Sequence, residues 1–597
     1  MRPSQQLLLF VALCFGALTN ALAVTGSTTG INAATGQRPF RKEFRTFQSS
    51  GAAFDLYILA LQKLQDEPQG NQLSYYQLSG IHGRPYIPWD GVNGEFGGGY
   101  CTHGSIIFPP WHRPYLALYE QALTNHAKTI AATFPQDKRA RYQAAANTLR
   151  IPYWDWALNA TMPTKVSEAR LYINTPTGMR WVNNPLATYR FHPRPSTADF
   201  PAGSVGARYP NTVRYPDANG NSQPNLINQQ LARNAADIQD RTYLLLSQQS
   251  SYAAFSNTGY RDRSGQTTDS LENLHNGIHS LIGNGGHMSY VPYSGFDPVF
   301  FLHHANADHL LAVWQAIHPD SYVTPQVDPF GTRTIRPNSI SDVNTPLTPF
   351  HRGNGNDFWT SASARSTRAF GYAYEDVVDW GVSKEKLMSD TRAKVKKNYD
   401  PDNSLRRRGL SELSRRKVEP LRVDKELKEG DSNLGAYNAW YIKLQVDEYE
   451  LGQPFFIHFF NGPFPKDNTK LSFAPNLISS FSVFTPQNTT EKEKAIVYGQ
   501  IPLTRKLVAD FDAKLIKDLE PDTIVPYLKA NLEWRVQTFD NEAIPTEKLT
   551  TLKVHVAHQS VTPSPEKDEF PKYGDYTTHK EITVDKCGGW NGTGDPL

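Results

Sequence analysis

Six of the seventeen histidines in this 597-residue chain fall at spacings that build two clusters of three imidazoles each. A chain that must assemble such clusters needs helices facing one another across a packed interior, because metal sites in bundles form from side chains on facing helices. His82, His103 and His112 lie between Gly80 and Tyr115, in GIHGRPY and CTHGSIIFPPWHRPY. His275 and His279 stand in LENLHNGIH, and His304 follows 25 residues after His279 in FDPVFFLHHANADH.

The second cluster is the easier to read. Residues four apart on a helix share a face about one turn apart, so His275 and His279 can chelate one ion. Leu271, Leu274, Ile278 and Leu281 recur around them at helical spacing, which predicts a helix with a buried stripe and an internal site. DPVFFLHHANADHLLAVW predicts another helix, with Asp297 as its cap and Pro298 at its first position, and this helix carries His304 inward. Imidazoles without carboxylates or thiolates favour copper or zinc over calcium or magnesium. A zinc-protease helix carries Glu directly after its first His, where this chain has Asn276.

Taken together, GIHGRPY, GYCTH, FPPWHRPYLALYEQAL, PYWDW, HNGIH and FDPVFFLHHAN strongly resemble the type-3 copper family of tyrosinases, catechol oxidases and haemocyanins, and within it the secreted fungal tyrosinases. The resemblance spans about Arg38 to Glu375. It implies that His82, His103 and His112 hold one copper and His275, His279 and His304 the other, with O2 as co-substrate. His303 is then a residue that supports the ligands from behind or packs against them.

Further roles follow from the same resemblance. Cys101, two residues before His103, matches the Cys-X-His of members with a Cys–His thioether, which implies a Cys101–His103 link and a free Cys587. Glu272 and Asn276 match a pair that holds a water proposed to deprotonate monophenols, a general-base arrangement. Phe300 is expected to pack beside the site. Asp308 is followed by His309 where the family commonly has Asp-Arg, so a fixed cation behind the second copper is lost. Tyr372 and Tyr374 resemble the family's Tyr-X-Tyr motif, and Arg41 the arginine that packs near it.

The remaining segments divide the chain. Arg2, the apolar run Leu7 to Leu18, which contains Cys14, and Ala21-Leu22-Ala23 read as a secretory signal over residues 1–23, too short for a membrane span. Sequons at Asn159, Asn488 and Asn591 fit a secreted glycoprotein. The chain is too long for one hydrophobic core. Residues 24–389 are expected to form a mainly α, loop-rich catalytic domain, a four-helix bundle around the binuclear copper site; two of its helices are marked by Phe54, Ile58, Leu61, Leu64 and by Leu116, Tyr119, Leu123, Ala127. The stretch from Ala160 to Asp269 reads as loops.

Residues 390–432 form a charged linker in which Arg406 to Arg408 and Arg415 to Lys417 offer sites for a processing protease. Residues 433–597 alternate as short strands and predict a C-terminal β-sandwich. The resemblance implies that it shields the copper site, with Phe455, Phe456, Phe459 and Phe460 as candidate plugs. A net charge of +3 without a sustained basic face excludes nucleic acid as partner. The expected activity is copper-dependent oxidation of small phenols, monophenols and o-diphenols, to o-quinones by a secreted latent proenzyme.

Overall fold

The computed structural model describes residues 21–260, 268–401, 435–485 and 494–592. The signal segment up to Asn20, both basic clusters of the linker and Asn488 lie outside the described residues. A helical body runs to Pro401 and a β-rich body begins at Gly435.

Five helices build the helical core: α1 (Ala52–Asp66), α2 (Phe108–Ala132), α3 (Pro224–Gln248), α4 (Leu271–Gly283) and α5 (Val299–Ile317). Helix α2 opens on Pro109 and Pro110, where the missing N–H groups cost nothing because no intrahelical partner exists there. Ser270 caps α4 by accepting from Asn273 N at 3.2 Å, and Asn284, at φ 35°, ends it in the left-handed region. In α5 every residue but Gln315 is buried, the pattern of a helix enclosed on all sides. Asp297 does cap it: its Oδ1 accepts from Val299 N at 3.1 Å while Arg214 pairs with the same carboxylate at 2.6 Å.

Helix α3 corrects the reading of Ala160 to Asp269 as loops. It runs for 25 residues and packs against α4. Its buried face mixes Ile227, Leu231, Ile238 and Leu245 with Gln230, Asn234, Asp240 and Arg241, so the apolar period is diluted by polar residues that find partners only in the folded state.

Strands β1 (Phe40–Arg41) and β2 (Ala373–Tyr374) pair in parallel and tie the two ends of the helical body together. In the β-rich body one sheet has the order β5-β4-β7-β8, from β4 (Phe455–Asn461), β5 (Leu477–Val483), β7 (Leu532–Thr538) and β8 (Ala543–Ile544). The other has the order β6-β3-β9-β10, from β3 (Tyr437–Asp447), β6 (Ile496–Pro502), β9 (Lys553–Thr562) and β10 (Lys572–Tyr573), with β11 (Thr577–His579) also on β9. Inward residues of both sheets, among them Ile442, Leu444, Phe455, Ile457, Phe459, Val554 and Val556, form one core, so the body is a sandwich.

The two bodies meet along α3 and α4. Arg505 pairs with Asp240, with Nε 2.8 Å from Oδ2, and Ser479 Oγ donates to Asp237 at 2.9 Å. Strand β6 is tied at one residue to two elements: Tyr498 N donates to Thr258 O at 3.1 Å, and Tyr498 O accepts from Asn273 Nδ2 at 2.6 Å.

Candidate metal centre

All six expected histidines are buried and lie in one nest. His112 and His304, from facing helices α2 and α5, have ring centroids 4.6 Å apart, and His103 and His275 are 6.1 Å apart. Within the second trio the Nε2 atoms of His275 and His279 each approach His304 Nε2 to 3.0 Å. Three lone-pair nitrogens at one point repel one another unless a cation sits among them.

The opposite ring nitrogens fix the tautomers. His82 Nδ1 lies 3.1 Å from Val291 O, His112 Nδ1 2.8 Å from Phe108 O, and His279 Nδ1 3.0 Å from Met288 O. His275 Nδ1 lies 2.9 Å from Asn276 Oδ1. A carbonyl accepts only from an N–H, so these rings carry their proton on Nδ1 and present Nε2 bare, as outer partners do for metal-binding histidines. The Nε2 atoms of His82 and His103 are buried and have no hydrogen-bond partner among the described residues. Burial, reinforced by neighbouring histidines, holds His82, His275, His279 and His304 well below the usual histidine range, and burial brings His112 down to about 3. Neutral, buried, orphaned imidazoles fit a soft or borderline divalent metal.

Other expected residues gather here. Phe300 stacks on His304 with centroids 3.8 Å apart. Glu272 accepts from Gly104 N at 2.8 Å, from Thr258 N at 3.0 Å and from Thr258 Oγ1 at 3.2 Å, and its Oε1 lies 3.3 Å from His103 Nδ1. Cys101 Sγ sits 3.4 Å from His112 Nε2, within metal-ligand reach of His82 and His112. Cys101 and Cys587 are both free thiols in this structure. Asn159 and Asn591 are exposed.

Two residues emerge that spacing alone undervalues. His303 joins His275, His279 and His304 in one buried group, stacks on His275 at 4.9 Å and 15°, and accepts from Trp156 Nε1 at 3.2 Å. An aromatic of the β-rich body, Phe484, just beyond β5, stacks on His279 with centroids 4.8 Å apart. None of the four expected phenylalanines fills that place. Phe455 and Phe459 belong to the sandwich core, Phe460 packs with Leu471 and Ala474, and Phe456 lies against Phe539 at 4.6 Å.

Behind the nest, Asp308 accepts from Arg113 Nε at 2.7 Å, Arg41 at 3.2 Å, Tyr372 OH at 2.5 Å and Tyr374 OH at 2.7 Å. Arg41 also lies over the Tyr372 ring at 3.5 Å. The next residue, His309, stacks on Tyr153 at 4.5 Å and meets Asp376 Oδ2 at 3.1 Å and Asn306 Oδ1 at 3.2 Å. Asp308 thus keeps two cations, and His309 faces a different carboxylate.

A helix bundle holding two facing histidine trios against a β-sandwich has the build of a binuclear metalloprotein. The common central domain of tyrosinase matches residues 72–317, and the tyrosinase C-terminal domain matches residues 439–556. The tyrosinase of Neurospora crassa is 32% identical, with 95% of this chain and 98% of that protein covered. Polyphenol oxidase 2 of Agaricus bisporus is 31% identical over 94% of this chain and 98% of its own length. Mushroom tyrosinase, solved in latent and active forms, superposes with a TM-score of 0.79 at 27% identity, covering 94% of this chain and 99% of that one. The chain belongs to the tyrosinase family: it is a tyrosinase or polyphenol oxidase, a binuclear copper enzyme that uses O2.

Proposed function

We propose that the chain oxidises both monophenols and o-diphenols to o-quinones, with His82, His103 and His112 holding one copper and His275, His279 and His304 the other. The observation that carries this is the convergence of the His275, His279 and His304 Nε2 atoms, with the His275 and His279 rings anchored through Nδ1. When bound, the copper pair supplies the two-electron exchange with dioxygen. The chain's own residues bind and orient the phenol and keep the site dry. Phe300 and the histidine rings form an apolar wall for an aromatic substrate. Glu272, held by Gly104 and Thr258, is the carboxylate that, with Asn276, positions a water to take the phenol proton.

A second reading, oxidation of o-diphenols alone, draws support from Asn276 Oδ1 being engaged by His275 Nδ1. Oxygen uptake with a monophenol and an o-diphenol, before and after limited proteolysis, separates the two. Uptake with neither substrate by protein containing about two coppers per chain rejects both.

Three further readings complete the proposal. The chain is made as a secreted, glycosylated precursor, with residues 1–23 removed; among the described residues no helix is long and apolar enough to cross a membrane. The helical body, which runs past the expected boundary at 389 through the helix Lys384–Tyr399, acts as the catalytic unit and residues 433–597 as its shield, released by cleavage at Arg406 to Arg408 or Arg415 to Lys417 between them. Cys101 and His103 become joined by a thioether, one hydrogen leaving the thiol and one the ring, with dioxygen as oxidant; intact-mass measurement reads the loss.

A further inference from the structure

Two separate approaches lead to the histidine nest. One is the face where Phe484 stacks on His279 and also lies 6.4 Å from His275 and 6.2 Å from His103. The other is a cleft of about 70 Å³ that Phe484 does not line. It runs from exposed Gly97, past half-buried Gly98, Gly99, Phe330 and Tyr449, to Cys101 and the buried rings of His82 and His103.

The construction of this cleft depends on missing side chains. A Cβ on Gly99 would sit 2.7 Å from His82 O, and one on Gly104 2.0 Å from the Phe330 ring. The glycine-rich run Gly94 to Gly104 therefore lets the backbone pass close to the first trio while leaving a gap over it. Phe330 is pressed onto Gly104 and meets the Tyr449 ring edge-on, centroids 5.6 Å apart and planes at 73°. Tyr449 belongs to the β-rich body, in the turn after β3. The shield thus touches the catalytic body's two approaches with two different aromatic residues.

Size decides what each approach can pass. A cavity of about 70 Å³ accommodates a few water-sized species. It is far below the roughly 300–1,000 Å³ of pockets that enclose drug-sized molecules. We infer that the cleft under Tyr449 and Phe330 is a second entry for small uncharged or anionic solutes such as dioxygen, cyanide or hydrogen peroxide. It reaches the His82–His103 side while Phe484 bars aromatic substrates from the His275–His279 side. The shielded chain is then closed to phenols yet open to dioxygen.

Cys101 lies in the cleft and reports on it directly. In the full-length chain produced and kept without copper or oxygen, so that Cys101 remains a thiol, its iodoacetamide alkylation is followed by mass spectrometry, with exposed Cys587 as internal control. Tyr449→Ala and, from the catalytic side, Phe330→Ala each raise Cys101 alkylation severalfold relative to Cys587, Tyr449→Trp slows it, and Phe484→Ala leaves it at the wild-type rate. If Phe484→Ala raises it as much as Tyr449→Ala, there is one mouth and the inference is wrong. It is equally overturned if neither Tyr449→Ala nor Phe330→Ala changes the rate.

A second measurement rests on the copper assignment proposed above: in copper-loaded full-length protein, cyanide extracts copper although o-diphenols are not oxidised, and Tyr449→Trp slows the extraction severalfold. Protein that takes up no copper refutes that assignment and leaves the alkylation result standing. Extraction that Tyr449→Trp leaves at the wild-type rate overturns the second entry.

Discussion

The Phe484 ring lies over the imidazole of His279 at 4.8 Å with an interplanar angle of 26°, a stacked arrangement that covers this face of the ring. The side chain comes from the β-rich body and the imidazole from α4, so the contact exists only while the two bodies are docked.

Replacing Phe484 by Ala in the full-length chain is expected to raise o-diphenol oxidation without proteolysis. The truncated side chain uncovers the His279 face, while the Tyr498 backbone bonds to Thr258 and Asn273 keep the two bodies docked. Oxygen uptake by uncleaved protein is the measurement; a rate unchanged from wild type would show that Phe484 is not what bars the substrate.

Docking should weaken as pH rises. Burial, with Glu272 and Asp447 adding to it, pushes the Glu448 carboxyl well above the usual carboxylate range in the closed form. A raised pKa means the closed form keeps a proton that the open form has released. Closure is therefore fully favoured below the ordinary carboxyl range and progressively lost as pH climbs through the raised value. Susceptibility of the full-length chain to limited proteolysis should increase with pH, and Glu448→Gln should flatten the profile.

Asp308→Asn is expected to destabilise the helical body by about 3–5 kcal/mol, because two buried guanidinium groups lose their shared counter-charge. Burial alone would raise the Asp308 pKa, but Arg113 and Arg41 outweigh it and hold it below the usual value. The stability it contributes is present above the ordinary carboxyl range and is lost only as pH falls through the depressed value. Thermal unfolding across acid pH, wild type against variant, reads both effects.

His309→Leu leaves the partly buried Asp376 carboxylate and Asn306 Oδ1 without their ring partner, at a cost of about 1–3 kcal/mol. His309→Arg should restore the Asp376 contact. Urea midpoints of the three proteins test this; equal midpoints for wild type and Leu would mean the pairing contributes nothing.

Much of the site was legible because it rests on local periods. The His275–His279 turn with the leucines around it is fixed within α4, and the contact of Asp297 with Val299 N within the first turn of α5. Phe484 was not legible, since its role arises where two bodies meet and alternation within β5 says nothing about what lies beyond that strand's last residue. The polar face of α3 hid for the same reason: Arg241 and Asp269 pair at 2.6 Å although 28 residues apart, which no helical period records. The exchange of arginine for histidine at position 309 was visible, but not that Arg41 and Arg113 already serve Asp308.

Tyr498 grips the catalytic body by its backbone at both Thr258 and Asn273, and Arg505 holds Asp240 nearby. Cutting the covalent connection between the two bodies breaks none of these contacts. It converts a tethered pair, held at high effective concentration, into two separate molecules whose parting is governed by dilution. A nicked preparation kept concentrated would therefore stay quiet, and would wake on being diluted.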